Sequence, residues 1–395
     1  MKDAHPHCVF TVLLSFGCLV LGQLVLKNDL DSILSRYENV STYYNLLKAH
    51  PDALHGFPDT IGVTMIIPQN EAFKKIHDWD SKNKTTVLDI LRYHIFPGAV
   101  SVGTTEEGTP IFARTLLDGS RVIIERQHGN EVVFTSGTDT RSMVLEGDIG
   151  FSDGLIHIVD TVMVPPPGLV PTCRVYNPTL SAFLGALYQT NLTEQIIASK
   201  NVTIFAPRNV GFQRTSGAMS ALSPSELAEV MKFHIVPSVI YSNDLVNGTS
   251  WPTLGGKNIT VTTAGNNKYI TSSQVLDPDI LIGYGVVHIL GDVLNPAEPD
   301  ARPVPIMVEQ PPAFALIGST STGNRFPVPF TSALPCTAGC SQPTHAKTIE
   351  RAPLSSAADN SVAGGPGPRC TGLTGAMGVG VGLLGVGMLG AVGAL

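Results

Sequence analysis

The sequence predicts an α+β chain in which one domain is built twice, each copy a mainly antiparallel sheet or sandwich covered on one side by helices. Three observations carry this. Three phrases recur in the same order: T-M-I-I-P-Q-N-E-A-F at 64–73 and T-I-F-A-P-R-N-V-G-F at 203–212, L-R-Y-H-I-F-P-G-A-V at 91–100 and M-K-F-H-I-V-P-S-V-I at 231–240, G-L-I-H-I-V-D-T-V-M-V-P at 154–165 and G-V-V-H-I-L-G-D-V-L-N-P at 285–296. Each copy opens on apolar residues at helical spacing. Each closes on β-branched runs separated by turn residues. The interval between copies is far longer than the roughly 20–50 residues of a solenoid unit, so each copy is a whole domain with its own core.

In the first copy, Leu30, Ile33, Leu34, Tyr37, Tyr43, Leu46 and Leu47 give 29–47 the period of an amphipathic helix or of two short ones. Residues 63–67 read as a buried strand stopped at Pro68, after which Asn70 is placed to cap a helix carrying Ala72, Phe73 and Ile76. A helix over 87–93 has to stop before Pro97, because the residue preceding a proline is pushed out of the helical region. Strands follow over 111–116, 121–126, 131–135 and 155–164, with Asp118-Gly119 and Gly129-Asn130 as turns. The second copy repeats the order from 180–187 to 286–294.

The flanking segments indicate compartment. The apolar run over 9–21 is too short for a bilayer, which takes about 20 residues, and small or tolerated residues precede Gln23, so 1–22 reads as a secretory signal peptide cleaved after Gly22. Residues 371–395 are apolar and carry no charge; behind the small residues 359–364 and the proline-broken spacer 365–370 they have the layout of a glycosylphosphatidylinositol (GPI) attachment signal. Attachment is expected at Asn360 or Ser361, with Gly364 as the alternative, which makes a lipid bilayer an expected partner. Domain one is assigned to 24–166 and domain two to 169–296. Residues 297–370, rich in proline, serine, threonine, alanine and glycine, offer too little apolar surface to offset the entropy of ordering, and are expected to form a disordered, O-glycosylated stalk ending in the spacer.

Six N-x-Ser/Thr sequons, at Asn39, Asn83, Asn191, Asn201, Asn247 and Asn258, fit passage through the secretory lumen. Asn201 abuts the apolar phrase 202–205 and stands close to the expected core. Of the six cysteines, Cys8 and Cys18 would leave with the leader and Cys370 with the tail. Cys336 and Cys340 are near enough to pair, which would leave Cys173 free, but connectivity stays open. The domains must therefore rest on hydrophobic cores rather than disulfides. Three cysteines at this spacing are too few for zinc, and neither metal nor cofactor is expected. A formal charge of −7, from 25 basic and 32 acidic residues without a basic cluster, leaves nucleic-acid binding no electrostatic footprint.

The repeated T-I-F-A-P-R-N-V-G-F phrase, the aromatic-histidine pair and the final G-x-x-H strand resemble the fasciclin (FAS1) domain family, over roughly 24–166 and 169–296. The resemblance implies two tandem β-sandwich wedges, each with a helical flank, and a broad role in adhesion and matrix contact. Leader, tandem domains, stalk and lipid anchor together look like the fasciclin-like surface glycoproteins of fungi and plants. The family's aromatic-histidine motif, linked there to adhesion, maps onto Tyr93 and His94 in copy one and onto Phe233 and His234 in copy two, which lacks the hydroxyl. Copy one also departs from the first motif, with Ile66 and Ile67 in place of the Phe-Ala of the family, a change that keeps apolar volume.

His94, His157, His234 and His288 all lie in apolar phrases and recur in both copies, which favours buried hydrogen bonding over ligation or catalysis. G-F-S-D-G at 150–154 satisfies G-x-S-x-G, but a nucleophile elbow joins strand to helix and this segment leads into a strand; copy two has no serine there. G-V-G-L-L-G at 380–385 satisfies G-x-G-x-x-G without a preceding strand or an acidic partner. The expected function is thus non-enzymatic: a surface protein at the outer leaflet, or released to the wall, making weak multivalent contacts to extracellular protein or polysaccharide. A structural or trafficking role in the wall or an internal compartment such as the vacuole is the second expectation. A hydrolase acting through Ser152 is the third.

Overall fold

The computed structural model describes residues 27–54, 62–76, 80–314 and 327–335. The leader, the attachment candidates Asn360, Ser361 and Gly364, and Cys336 and Cys340 lie outside the described residues. Domain one runs through α1 (Lys27–Leu34), α2 (Ser41–Ala49), β1 (Val63–Pro68), α3 (Asn70–Lys74), α4 (Lys84–Tyr93), β2 (Ile95–Phe96), β3 (Ile111–Arg114), β4 (Arg121–Arg126), β5 (Val132–Thr135), β6 (Arg141–Phe151) and β7 (Gly154–Val159). Its strands form one sheet in the order β2-β1-β7-β6-β5-β4-β3. Only β1 and β7 pair in parallel; the other neighbours are antiparallel.

That parallel pair explains why the repeated phrases are apolar without alternation. Met65, Ile67, Ile156 and Ile158 pack under the helices, while Ile66 and Val159 point into a second core against β4 and β5. Strands covered on both faces read as continuous hydrophobic runs. The glycine opening β7 has a steric cause: a Cβ on Gly154 would stand 1.8 Å from the Val63 carbonyl oxygen, and one on the equivalent Gly285 would stand 2.0 Å from that of Val202.

Domain two repeats the plan with α5 (Leu169–Val175), α6 (Asn177–Gln189), α7 (Thr193–Ala198), β8 (Val202–Pro207), α8 (Asn209–Arg214), α9 (Ser216–Ala221), α10 (Pro224–Phe233), β9 (Ile235–Val236), β10 (Ser250–Pro252), β11 (Asn258–Ala264), β12 (Asn267–Ile270), β13 (Ser273–Ile282) and β14 (Gly285–Leu290). The strand order β9-β8-β14-β13-β12-β11-β10 superposes element for element on that of domain one. Both domains are the helix-flanked, sandwich-like sheets that the sequence predicts.

The closing strands β7 and β14 end at Val159 and Leu290, short of the expected 164 and 294, and three further differences concern what positions the site. The 11-residue β6, the strand that joins the two halves of the first sheet, breaks the period-two pattern because its pairing with β7 shifts register between Val144 and Ile149, and Asp148 sits there at φ 56°. Its counterpart β13 bulges likewise, with Asp279 at φ 64°. Such a bulge hides a strand from alternation. Asn70 does not cap α3, whose N-cap is Gln69; its Oδ1 accepts the Thr42 N–H at 2.8 Å and its Nδ2 donates to the Glu38 carbonyl at 3.0 Å, so it fastens α2 instead. Domain two also continues past Pro296. Phe314, Val328, Phe330 and Leu334 pack on its helical core, the Phe330 ring meets Phe212 edge-on at 5.9 Å, and Arg214, ion-paired with Asp292 at 2.7 Å, donates to the Gln310 carbonyl at 2.8 Å. A few apolar residues spaced to reach α6 anchor a segment whose average composition looks unfoldable.

The domains meet through β3 and β4 of the first and the 239–241 and β13–β14 regions of the second. Phe112 stacks on Tyr241 at 4.1 Å between centroids, the Arg121 guanidinium lies 5.4 Å over the same ring, and Ile123, Leu281 and Val286 close the contact. Asn243 Nδ2 donates to the Pro110 carbonyl at 2.8 Å, and the Gly283 N–H donates to Pro167 of the linker at 2.9 Å.

Candidate functional site

The motif residues are placed by the end of α4 and of α10. His94 closes α4 at its C-terminus: its Nδ1 lies 2.7 Å from the Ile90 carbonyl, and its Nε2 accepts the Met163 N–H at 2.9 Å. His234 closes α10 in the same way, with Nδ1 at 2.8 Å from the Val230 carbonyl and Nε2 accepting the Leu294 N–H at 2.9 Å. Each ring is thus a neutral tautomer bridging helix end and the chain leaving the last strand. Burial pushes both imidazoles down from 6.5 to about 4, against the smaller upward pull of the carbonyl bond.

Tyr93, His94, Phe233 and His234 have no accessible surface at all. The four residues that the resemblance links to adhesion are thus all core side chains in this structure. The Tyr93 hydroxyl donates to the Arg121 carbonyl at 2.8 Å, so it links α4 to β4, and Phe233 forgoes that one bond.

The strand histidines form a second set. His157 Nδ1 accepts the Asp148 N–H at 3.0 Å and its Nε2 lies 2.8 Å from the Val100 carbonyl; His288 repeats this with the Asp279 N–H at 3.1 Å and the Ile240 carbonyl at 2.8 Å. The Asp148 carboxylate accepts the Val102 and Gly103 N–H groups at 3.1 and 2.8 Å, and Asp279 accepts that of Ser242 at 2.8 Å. Burial lowers the pKa of both histidines. The two bulges therefore exist to hold a loop, a histidine and a strand together.

A family model for the fasciclin domain matches residues 38–165 and 178–296. The chain belongs to the fasciclin domain family. It is 28% identical over 305 residues to a fasciclin-like arabinogalactan protein of Arthroderma benhamiae, covering 73% of this chain and 72% of that one. To the fasciclin-like arabinogalactan protein CTB11 of Cercospora beticola it is 24% identical over 313 residues, covering 74% and 82%. A solved fasciclin domain pair from the insect cell adhesion molecule fasciclin I aligns at 18% identity and a TM-score of 0.33, over 66% of this chain and 98% of that one.

Within the fasciclin pair, the Ile66 departure has its compensation. Phe205 on β8 stacks on His288 at 5.2 Å; in domain one Ile66 stands at that place and Phe134 on β5 approaches His157 at 6.1 Å, where domain two has Ile270. Aromatic and isoleucine have exchanged strands, and core volume is kept. Asn209, equivalent to Asn70, accepts the Ala182 N–H at 2.8 Å and donates to the Pro178 carbonyl at 3.0 Å and the Ser181 hydroxyl at 2.9 Å. The sequence shows these asparagines and the Asp-Ile pairs ahead of each strand histidine, but not what they hold; the fixed spacing of nine residues from Asp148 to His157 and from Asp279 to His288 was the available signal.

All six sequon asparagines are exposed, Asn201 included: it turns outward at φ 59° just before β8. Asn83 caps α4 through Oδ1, which accepts the Thr86 N–H at 3.2 Å and leaves Nδ2 for a glycan. Between the domains lie two adjoining cavities of about 370 and 260 Å³, both bordered by Asp118, Ser120, Ile282 and Tyr284. Ser152 occupies the turn between β6 and β7, its N–H bonded to Asp29 at 2.8 Å, so 150–154 is a hairpin and not a strand-to-helix elbow. Cys173 is buried and its thiol is pushed up to about 12, which leaves it unreactive. Among the described residues no group of three or more His, Cys, Asp or Glu side chains is arranged to hold a metal ion, and no helix is long and apolar enough to cross a membrane.

Proposed function

We propose that this fasciclin protein is a secreted, lipid-anchored glycoprotein of the cell surface or wall whose paired domains make weak, repeated, non-enzymatic contacts to extracellular protein or polysaccharide. The observation that carries it is a duplicated apolar spot. Leu145 on β6 and Leu276 on β13 occupy equivalent positions at the first register shift of the bulge, and they are 48% and 42% exposed. A single exposed leucine means little, but the same leucine kept out of the core in both domains gives one chain two like contacts. On a dense surface such contacts add through effective concentration. The names of the two fungal relatives agree with this reading. The anchor follows from 359–395 and the exposed sequons fit the route.

Beads coated with the protein test the contact. Clustering that falls with Leu145→Asp or Leu276→Asp and disappears with both, while circular dichroism is unchanged, is expected. Undiminished clustering by the folded double variant would refute it. Release from intact cells by a phosphatidylinositol-specific phospholipase tests the anchor, and retention on the membrane would overturn that part.

A further inference from the structure

The turn preceding β8 differs from its equivalent in domain one in two residues at once. Val202 pairs with Gly285 at the start of the parallel β8–β14 ladder, and the Val202 N–H donates to the Tyr284 carbonyl at 3.2 Å. The residues immediately before, Asn201 and Tyr284, are therefore neighbours across the two strands. In domain one the corresponding places hold Gly62, at φ 93°, and Asp153. A left-handed turn accounts for glycine or asparagine there. It does not account for the ring.

Tyr284 is 47% exposed and Ile197, on the same cavity wall, is 56% exposed. The Lys200 ammonium lies 5.8 Å from the Tyr284 ring centre. Asn201 lines the smaller cavity beside Arg114 and Asp118, and Asp89 borders the larger one. An aromatic face with an apolar floor, ringed by carboxylates and cations, matches the chemistry of a pyranose, which has an apolar C–H face and an equatorial rim of hydroxyls.

We propose that the cleft between the domains is a saccharide seat, occupied by the first residues of the chain's own N-glycan on Asn201. The glycan comes from a lipid-linked oligosaccharyl diphosphate of the secretory lumen. The Asn201 Nδ2–C1 bond forms, the bond from C1 to the diphosphate oxygen breaks, the diphosphate leaves and the amide proton passes to a base. The first N-acetylglucosamine then lies on Tyr284 and the second covers Ile197, their hydroxyls facing Asp118, Asp89 and Arg114. Apolar surface that would otherwise face water is shielded, and one sugar chain touches both domains. The inference rests on the secretory route proposed above.

Site-resolved mass spectrometry of the full-length protein, after timed native digestion with peptide N-glycosidase in ¹⁸O water, tests it. Asn201 should be occupied and should lose its glycan about tenfold more slowly than Asn247 or Asn258, the protection that a contact of about 1.4 kcal/mol gives. Tyr284→Ala, in an exposed turn, should abolish the difference. Free N,N′-diacetylchitobiose should bind the Asn201→Gln protein and not the glycosylated one. An empty Asn201 beside occupied neighbours, equal release rates, or equal chitobiose binding by both proteins would overturn the proposal; glycan on none of the six sequons would overturn the secretory route with it.

Discussion

Acidification should unfold these domains through histidines that never see solvent. His94 and His234 have imidazoles that burial holds at about 4, against 6.5 in the unfolded chain. Above pH 6.5 both states leave them neutral and no pH dependence arises. Below it the unfolded chain takes up a proton that the native chain refuses until about pH 4, so stability falls as pH falls across that window. One unit below 6.5, at pH 5.5, each of these two rings is expected to cost its domain about 1.4 kcal/mol. His157 and His288, also lowered by burial, act in the same direction. Asp292, whose carboxyl burial raises from 3.8, acts in the opposite direction, but only in the carboxylate range. Guanidinium titrations followed by circular dichroism at pH 7.5, 6.5, 5.5 and 4.5 read the effect. Midpoints that stay level between pH 7.5 and 5.5 would refute the argument, because neutral, doubly bonded imidazoles cannot be buried without this penalty.

Three further outcomes follow from named contacts. Asn209→Ala should destabilise domain two by about 2–3 kcal/mol, since it leaves the buried Ala182 N–H without its acceptor, and Asn70→Ala, at a half-buried place, should cost domain one less; chemical denaturation checks both. Tyr241→Ala removes the stack on Phe112 and the seat under Arg121, so small-angle scattering should show a looser pair and proteases should cut at 165–168 while each domain keeps its circular dichroism. Phe330→Ala should free the segment after Pro296 from α6, at about 2–3 kcal/mol, read as new cleavage between 297 and 335.

Much of this fold is legible in the sequence because its defining strands are buried on both faces. A run such as 202–207 has no exposed position to vary, so the phrase repeats almost intact and announces the domain twice. The histidines were legible as structural for the same reason: each sits within such a phrase. What stayed hidden depends on register and distance. The bulges at Asp148 and Asp279 erase the alternation of β6 and β13, the exchange of Ile66 and Phe134 for Phe205 and Ile270 involves strands far apart in sequence, and Asn70 serves a helix some 30 residues upstream, 28 from Thr42.

The chain by itself thus determined two domains, their α+β class and the residues that repeat, since all of these are local patterns of polarity and spacing. Tertiary structure alone decided that the aromatic-histidine pairs are buried, and that Phe314, Val328, Phe330 and Leu334 pack on the helical core of domain two. It also set Tyr241 into domain one and brought Asn201 beside Tyr284. Each of those depends on which surfaces meet when the sheets close, and a linear pattern carries no record of the partner across the gap.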